Sequence, residues 1–162
     1  MDEDFRQFVA ARAPALCRTA FLLTGDWQAG EDLVQEALTK TYLRRRRLRD
    51  PAALEPYARK VLVSLFLTWR RRRWHRERPQ AELPDLGGAD KLDELADRGG
   101  MWSALATLPP QQRAVLVLRY YEDLAEADIA AVLQVSAGAV KTHAARGLDR
   151  LRRTGAVSKE WS

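Results

Sequence analysis

Cysteine is almost absent from this chain. Cys17 is the single one among 162 residues, so no disulfide framework and no cysteine-based metal cluster can form within one molecule. Histidine is nearly as scarce, and His75 and His143 stand too far apart to suggest metal-ligand spacing. Seven prolines, nine glycines and no long alternating apolar pattern leave little support for a sheet. The run "VLVSLFLTW" (Val61 to Trp69) lasts nine residues between Arg59–Lys60 and Arg70. A membrane-spanning helix needs about 20 apolar residues, so no insertion into a membrane is expected. The first residues, "MDEDFRQF", are acidic where a secretory leader would be basic, which favours a cytoplasmic protein. No nucleophile–base pair and no phosphate-cradling glycine loop is evident. An enzyme is therefore not expected, and no cofactor is called for.

What is present is apolar and cationic. Residues of the apolar class make up 46 % and charged residues 30 %, enough to bury a core in one ordinary domain or two small ones. Ala, Leu and Arg dominate, all good helix formers. The net charge of +5 hides a sharper division. Residues 44–78 carry a local balance of +10, and residues 79–100 carry −4. A basic block beside an acidic connector suggests a face meant for a polyanion.

The pattern predicts an all-α protein: two small helical domains joined by an acidic flexible linker. Apolar positions Phe5, Phe8, Val9, Leu16, Ala20 and Leu23 predict a helix over about 4–23. Gly25 suits the left-handed position after its end, and Asp26 can cap the next helix. That second helix is expected over about 29–46, burying Leu33, Ala37 and either Leu38 or Tyr42. Asp50 and Pro51 read as the cap and first position of the next element. Pro56 is a candidate to open the long helix that reaches about Arg76. Residues 79–100 read as the linker, with one helical turn near Asp90 to Ala96. A second domain then spans 101–154, a four-helix unit with a short tail after it. In it Pro109 and Pro110 open a helix whose Val115, Leu116 and Leu118 face inward.

Residues 126–152 have helix-turn-helix spacing. Ile129, Ala130 and Leu133 point inward, Gln134 and Val135 turn, and Ser136 caps the next helix. There Val140, Ala144, Leu148 and Leu151 form one stripe. The opposite face presents Ala137, Gly138, Lys141, Thr142 and Arg146, with Ala145 among them and His143 at the edge. Small residues at the start would let the helix enter a major groove, and the cations reach phosphates or guanine edges. The plainer reading is an αα-hairpin with a solvated cationic face. Gln134 stands where the motif usually has Gly, at a cost of about 1 kcal/mol for a left-handed residue.

The stretch "VSAGAVKTHAARGLDRL" resembles the DNA-binding module of LuxR-type regulators. It equally resembles the C-terminal domain of the extracytoplasmic-function (ECF) group of bacterial RNA polymerase sigma factors. "GDWQAGEDLVQEALTKTYLRRRRL" decides between them, because it resembles the stretch with which such sigma factors grip the polymerase. "LPPQQRAVLVLRYYEDLAEADIA" resembles the lead-in to their −35 reader. The likeness covers nearly the whole chain and is nearest to the short, SigE-like type of actinobacteria. It implies a subunit that binds core RNA polymerase and promoter DNA. Residues 1–78 would serve core binding and the −10 element, and residues 101–154 the −35 element. An anti-sigma factor is a further partner that the family often has. Asp32, Leu33, Gln35 and Glu36 match the "DLVQE" core that meets the polymerase clamp, with Asp32, Gln35 and Glu36 sharing one helical face. Ser64, Thr68, Trp69, Arg71 and Arg72 match the helix that lies along the −10 element. Arg49 and Asp50 fall in the loop that captures an unstacked base. Ser136, Ala137, Gly138, Lys141, Thr142, His143 and Arg146 match the −35 reader. The acidic linker would thread the polymerase's basic RNA channel.

Two positions depart from the family pattern. Many relatives carry Asn where this chain has Ser64, and an acid or larger polar residue where it has Thr68. A single hydroxyl cannot make the bidentate contact an amide makes with adenine, so the relatives' −10 specificity does not carry over. The rival reading is a stand-alone LuxR-type regulator whose N-terminal bundle serves protein contacts.

Overall fold

The computed structural model describes residues 2–76 and 101–153, without the side chains of 71–76 and 101–102. The chain divides into two compact units, Met1–Arg78 and Pro79–Ser162. All regular structure among the described residues is helical. The expected linker at 79–100, its helical turn and the tail from Thr154 lie outside them.

In the first unit, α1 spans Glu3–Thr24, α2 Trp27–Arg44 and α3 Leu54–Arg76, with a 3-10 turn at Pro51–Ala53. Asp2 starts α1 by accepting from the Phe5 N–H at 2.8 Å, with Glu3 and Asp4 in the first turn where the helix dipole favours acids. Gly25, at φ 75°, ends it and donates to the Phe21 carbonyl at 2.7 Å. Asp26 comes at once after it, accepting from the Gln28 and Ala29 N–H groups at 3.0 and 3.2 Å. That cap moves the start of α2 forward of the expected residue 29, to Trp27. At the other end α2 stops two residues early, because Arg45 turns back: its N–H and its Nη1 both donate to the Tyr42 carbonyl. Pro56 does not open α3. Asp50 holds Ala52 N–H at 2.9 Å, the 3-10 turn runs directly into the helix at Leu54, and Pro56 sits in the first turn, where its missing donor leaves no bond unmade.

The core of this unit takes Leu16, Ala20 and Leu23 from α1, Leu33, Val34 and Ala37 from α2, and Ala58, Leu62, Val63 and Phe66 from α3. Burying a side chain such as Phe66 contributes about 1.5–3 kcal/mol. The inner stripe of α2 is Gly30, Leu33, Val34, Ala37 and Thr41; Leu38 and Tyr42 are only half-buried. Helix α2 packs on both α1 and α3, so its buried face is wider than one line. Thr41 enters the core at little cost because its hydroxyl donates to the Ala37 carbonyl at 2.7 Å. Gly30 sets the spacing: a Cβ there would stand 3.2 Å from Ala20 Cβ and 3.3 Å from the Ala20 carbonyl carbon. Phe8, Val9 and Cys17 are only half-buried, so the inner line of α1 runs through Phe5, Leu16, Ala20 and Leu23.

The second unit contributes α4 (Met101–Ala106), α5 (Pro110–Leu116) continuing into a π-turn at Val117–Tyr121, α6 (Glu126–Leu133) and α7 (Ala137–Arg153). Every residue from Arg113 to Leu118 is buried, so α5 runs through the middle of the core. Arg113 is inside at 2 % exposure and donates from Nη2 to the Leu108 carbonyl at 3.0 Å, just past the end of α4. The buried stripe of α7 is Val140, Ala144, Gly147 and Leu151, and Leu148 lies half-buried beside it. Gly147 takes the inner place, where a Cβ would stand 3.0 Å from Leu116 Cδ1 and a larger residue would need Leu116 to move. Ala130 is likewise half-buried, leaving Ile129 and Leu133 as the anchors of α6.

The tight Gly30 contact predicts that Gly30→Val lowers stability by about 1–3 kcal/mol through overpacking, read from denaturant unfolding. Asp2 yields a pH signature. The Arg45 guanidinium, at 2.7 Å, and the Phe5 N–H hold its carboxyl below the ordinary value of 3.8. The stabilisation is complete above 3.8 and is lost as the pH falls below it through the lowered native value. Asp2→Asn keeps a capping side chain but loses the charge. Its midpoint deficit in thermal melts should be present at neutral pH and should close as the pH drops below about 3.8.

Candidate functional site

The outer face of α2 is polar and continuous. Asp32, Gln35, Glu36, Thr39 and Lys40 are all exposed, at spacings that keep them on one side of the helix. Leu43 continues that face and is 75 % exposed. Leu33 is turned the other way, at 6 % exposure, because it belongs to the stripe that packs the bundle. The expectation that Leu33 meets a partner is therefore corrected for the free chain: its side chain is a core residue that fixes how Asp32, Gln35 and Glu36 are presented.

Helix α3 offers a second face. Ser64 is exposed, and Thr68 and Trp69 are half-buried. The Trp69 ring lies 6.2 Å from that of Phe66, which is wholly buried, so one side of the indole rests on the core. Lys60 is exposed one turn before Ser64, a cation that the motif resemblance does not single out. Its i, i+4 relation to Ser64 is the available sequence signal. Arg71 and Arg72 extend α3, with side chains outside the described residues. Arg49 is exposed, while Asp50 spends one carboxylate oxygen on capping the 3-10 turn. The four-arginine run ahead of them is divided in use. Arg44 lies 6.0 Å from the Tyr57 ring, Arg45 stacks on Tyr42 at 3.7 Å, and Arg46 and Arg47 are exposed.

Helix α7 carries the third face. Ser136 Oγ accepts from the Ala139 N–H at 3.0 Å and starts the helix. Ala137, Gly138, Lys141, Thr142, Ala145 and Arg146 are exposed together, with His143 half-buried at the edge and its Nδ1 enclosed. The turn before them holds Gln134 at φ 59°, ψ 47°, the left-handed conformation that Gly would adopt without a Cβ penalty. Glu126, at the start of α6, bridges Arg119 at 3.2 Å and reaches Lys141 at 4.0 Å. Sequence reasoning misses this pairing, since separations of seven and fifteen residues across two turns leave no local pattern. Lys141 is 69 % exposed, so the longer contact contributes little and leaves the cation available.

Among the described residues no group of three His, Cys, Asp or Glu side chains is placed to hold a metal ion. No described helix is long and apolar enough to cross a membrane.

Residues 8–76 match the family model for sigma-70 region 2, and residues 98–151 that for sigma-70 region 4. The chain is similar to the RNA polymerase sigma-E factor of Streptomyces avermitilis, 38% identical over 149 residues that cover 92% of this chain and 83% of that protein. It is also similar to the ECF RNA polymerase sigma factor SigL of Mycobacterium tuberculosis, 31% identical over 147 residues, 88% of this chain and 83% of the relative. Among solved structures, the fold matches the sigma factor RpoE from Bartonella quintana, crystallised in complex with the anti-sigma factor NepR. The TM-score is 0.74 at 24% identity, covering 98% of this chain and 100% of that one.

The turn geometry makes a stability prediction. Gln134→Gly should raise stability by about 0.5–1 kcal/mol, the relief of the left-handed residue less the added freedom of the unfolded chain. Ser136→Ala should lower it by about 1 kcal/mol through loss of the cap. Urea denaturation of both variants checks the pair.

Proposed function

The chain belongs to the extracytoplasmic-function group of bacterial RNA polymerase sigma factors, and on that premise we propose how its surfaces share the work. It binds core polymerase through the α2 face of Asp32, Gln35 and Glu36. It reads the −35 duplex with α7, whose Lys141, Thr142 and Arg146 meet phosphates and base edges. It engages the −10 element with α3 and the connection before it. Ser64 and Thr68 supply hydroxyl contacts there, Trp69 an aromatic face, and Lys60, Arg71 and Arg72 the charge that holds phosphate. Residues 79–100, with their −4 balance, suit a basic RNA channel. Sigma factors are non-catalytic initiation factors, so the chemistry of transcription stays with the polymerase, in the cytoplasm. Because the Bartonella relative was crystallised with an anti-sigma factor, a protein that occludes these faces is a natural partner here too.

The observation that carries this reading is the outward polar face of α2, lying within the match to sigma-70 region 2. A stand-alone regulator could use such a face for other protein contacts, but it would not account for matches to sigma-70 regions 2 and 4 in that order along the chain. Co-elution with purified core polymerase, then retention of promoter DNA with and without core, tests the proposal. Stable association with core-dependent, sequence-selective retention is expected; tight selective binding by the free chain with no hold on core would support the regulator instead. Two double variants separate the roles. Asp32→Ala with Glu36→Ala should weaken core association, whereas Arg71→Ala with Arg72→Ala should spare it and depress open-complex formation. Equal weakening of free-duplex binding by both pairs would count against the division.

A further inference from the structure

Three elements of the second unit meet at one carboxylate. Arg119 sits in the π-turn after α5, Glu126 opens α6, and Lys141 stands in the second turn of α7. Arg119 Nη1 donates to Glu126 Oε2 at 3.2 Å, and Lys141 Nζ lies 4.0 Å from Oε1. One oxygen is thus fixed by a hydrogen bond, and the other is turned toward the ammonium. The Arg119 guanidinium also lies 5.6 Å from the centre of the Tyr120 ring, a second support for its position.

The two cations of the α7 face differ in this respect. Lys141 has a counter-charge beside it, whereas among the described residues no acid engages Arg146. Asp128, in the same first turn as Glu126, is exposed and makes no ion pair among the described residues. Side chains two positions apart point to different sides of a helix. The helix dipole favours an acid at either position and does not explain why one of them is aimed at α7.

With 69 % of the lysine side chain exposed, the Glu126–Lys141 contact is weak as a stabilising bond. Its effect falls on DNA. A phosphate oxygen in hydrogen-bond reach of the same ammonium would stand within about 7 Å of the carboxylate, inside the ~8 Å Debye length at physiological salt. Phosphate and carboxylate then compete for one ammonium and repel each other. An exposed lysine holds either anion weakly, so the loss of one competitor is felt by the other.

We infer, on the reading of α7 as the −35 reader, that Glu126 is a positioning residue that withholds Lys141 from DNA phosphate. This cation engages a duplex by exchanging one anion for another. The exchange lowers the hold of α7 on any duplex, whatever its sequence, and reduces the counterion release that a free lysine would bring. A larger share of the binding then falls to contacts with base edges.

The test follows the fluorescence anisotropy of a labelled duplex of mixed sequence, titrated with the full chain over a series of KCl concentrations. Glu126→Gln should bind about threefold more tightly at physiological salt. Its slope of log affinity against log salt should steepen by up to about 0.9, the share of one phosphate. With Lys141→Ala already in place, Glu126→Gln should leave affinity and slope where they were; with Arg146→Ala in place, the gain should persist. Asp128→Asn, which removes a charge from the same turn, should leave the slope unchanged. An equal gain with and without Lys141, or an equal gain from Asp128→Asn, would be a general effect of net charge and would overturn the inference. An unchanged slope in Glu126→Gln would do the same, and each of these outcomes leaves α7 as the reader. If neither Lys141→Ala nor Arg146→Ala by itself weakens duplex binding, the reading of α7 falls as well.

Discussion

The contact of Gly30 with Ala20 lays α2 on α1 with no side chain between them, and the presentation of α2 depends on it. With Gly30 inward, the 3.6-residue period carries Leu33, Val34, Ala37 and Thr41 into the core. The same period leaves Asp32, Gln35 and Glu36 outward. A residue-sized shift in this packing would rotate the acidic face away, whatever its composition. The second unit uses the same device: Gly147 against Leu116 draws α7 onto α5, and the inward line through Val140, Ala144 and Leu151 fixes Lys141, Thr142 and Arg146 on the other side. Close packing without a Cβ is how two short bundles hold these helices in a definite rotation.

Charge is used unevenly across the basic block. Arg45 is spent on Asp2, Tyr42 and the end of α2, and Arg59 on Glu55, which also takes a two-pronged bond from Arg12 at 2.6 and 2.7 Å. Such exposed or half-exposed pairs are weak in water, so their main effect is to set where side chains lie. Among the described residues, exposed cations such as Arg46, Arg47, Arg49 and Lys60 in the first unit, and Lys141 and Arg146 in the second, are placed to exchange counterions for phosphate. A local balance of +10 therefore overstates the charge available to nucleic acid, because part of it is bound in the fold.

Much of the architecture was legible in advance because it is written in local chemistry. Asp26 beside Gly25 marks a helix junction, Pro109–Pro110 a helix start, and Ser136 a cap, each acting within four residues of itself. The outward faces of α2 and α7 came from periodicity. What failed did so for non-local reasons. Leu38 and Tyr42 read as alternatives for the buried stripe of α2, yet Val34 and Thr41 take that place because α2 packs on both α1 and α3. Leu148 and Gly147 exchange places because α5 needs the closer approach, and hydrophobicity at one position cannot express that. Arg113 gives no sign in the sequence of being buried, since its place depends on a carbonyl at Leu108 that needs a donor.

By itself the sequence determined the all-helical class, the helix boundaries to within a few residues, the family, and the residue types offered on each outward face. These rest on backbone propensity, capping and periodicity, which act over one or two turns. Tertiary structure alone decided which arginines are free, that Glu126 joins Arg119 to Lys141, and that Asp2 pins the start of α1 to Arg45 at the end of α2. Those features join residues separated by up to some forty positions, as in the Asp2–Arg45 pair, and only packing brings such partners within the few ångströms at which a hydrogen bond or an ion pair exists.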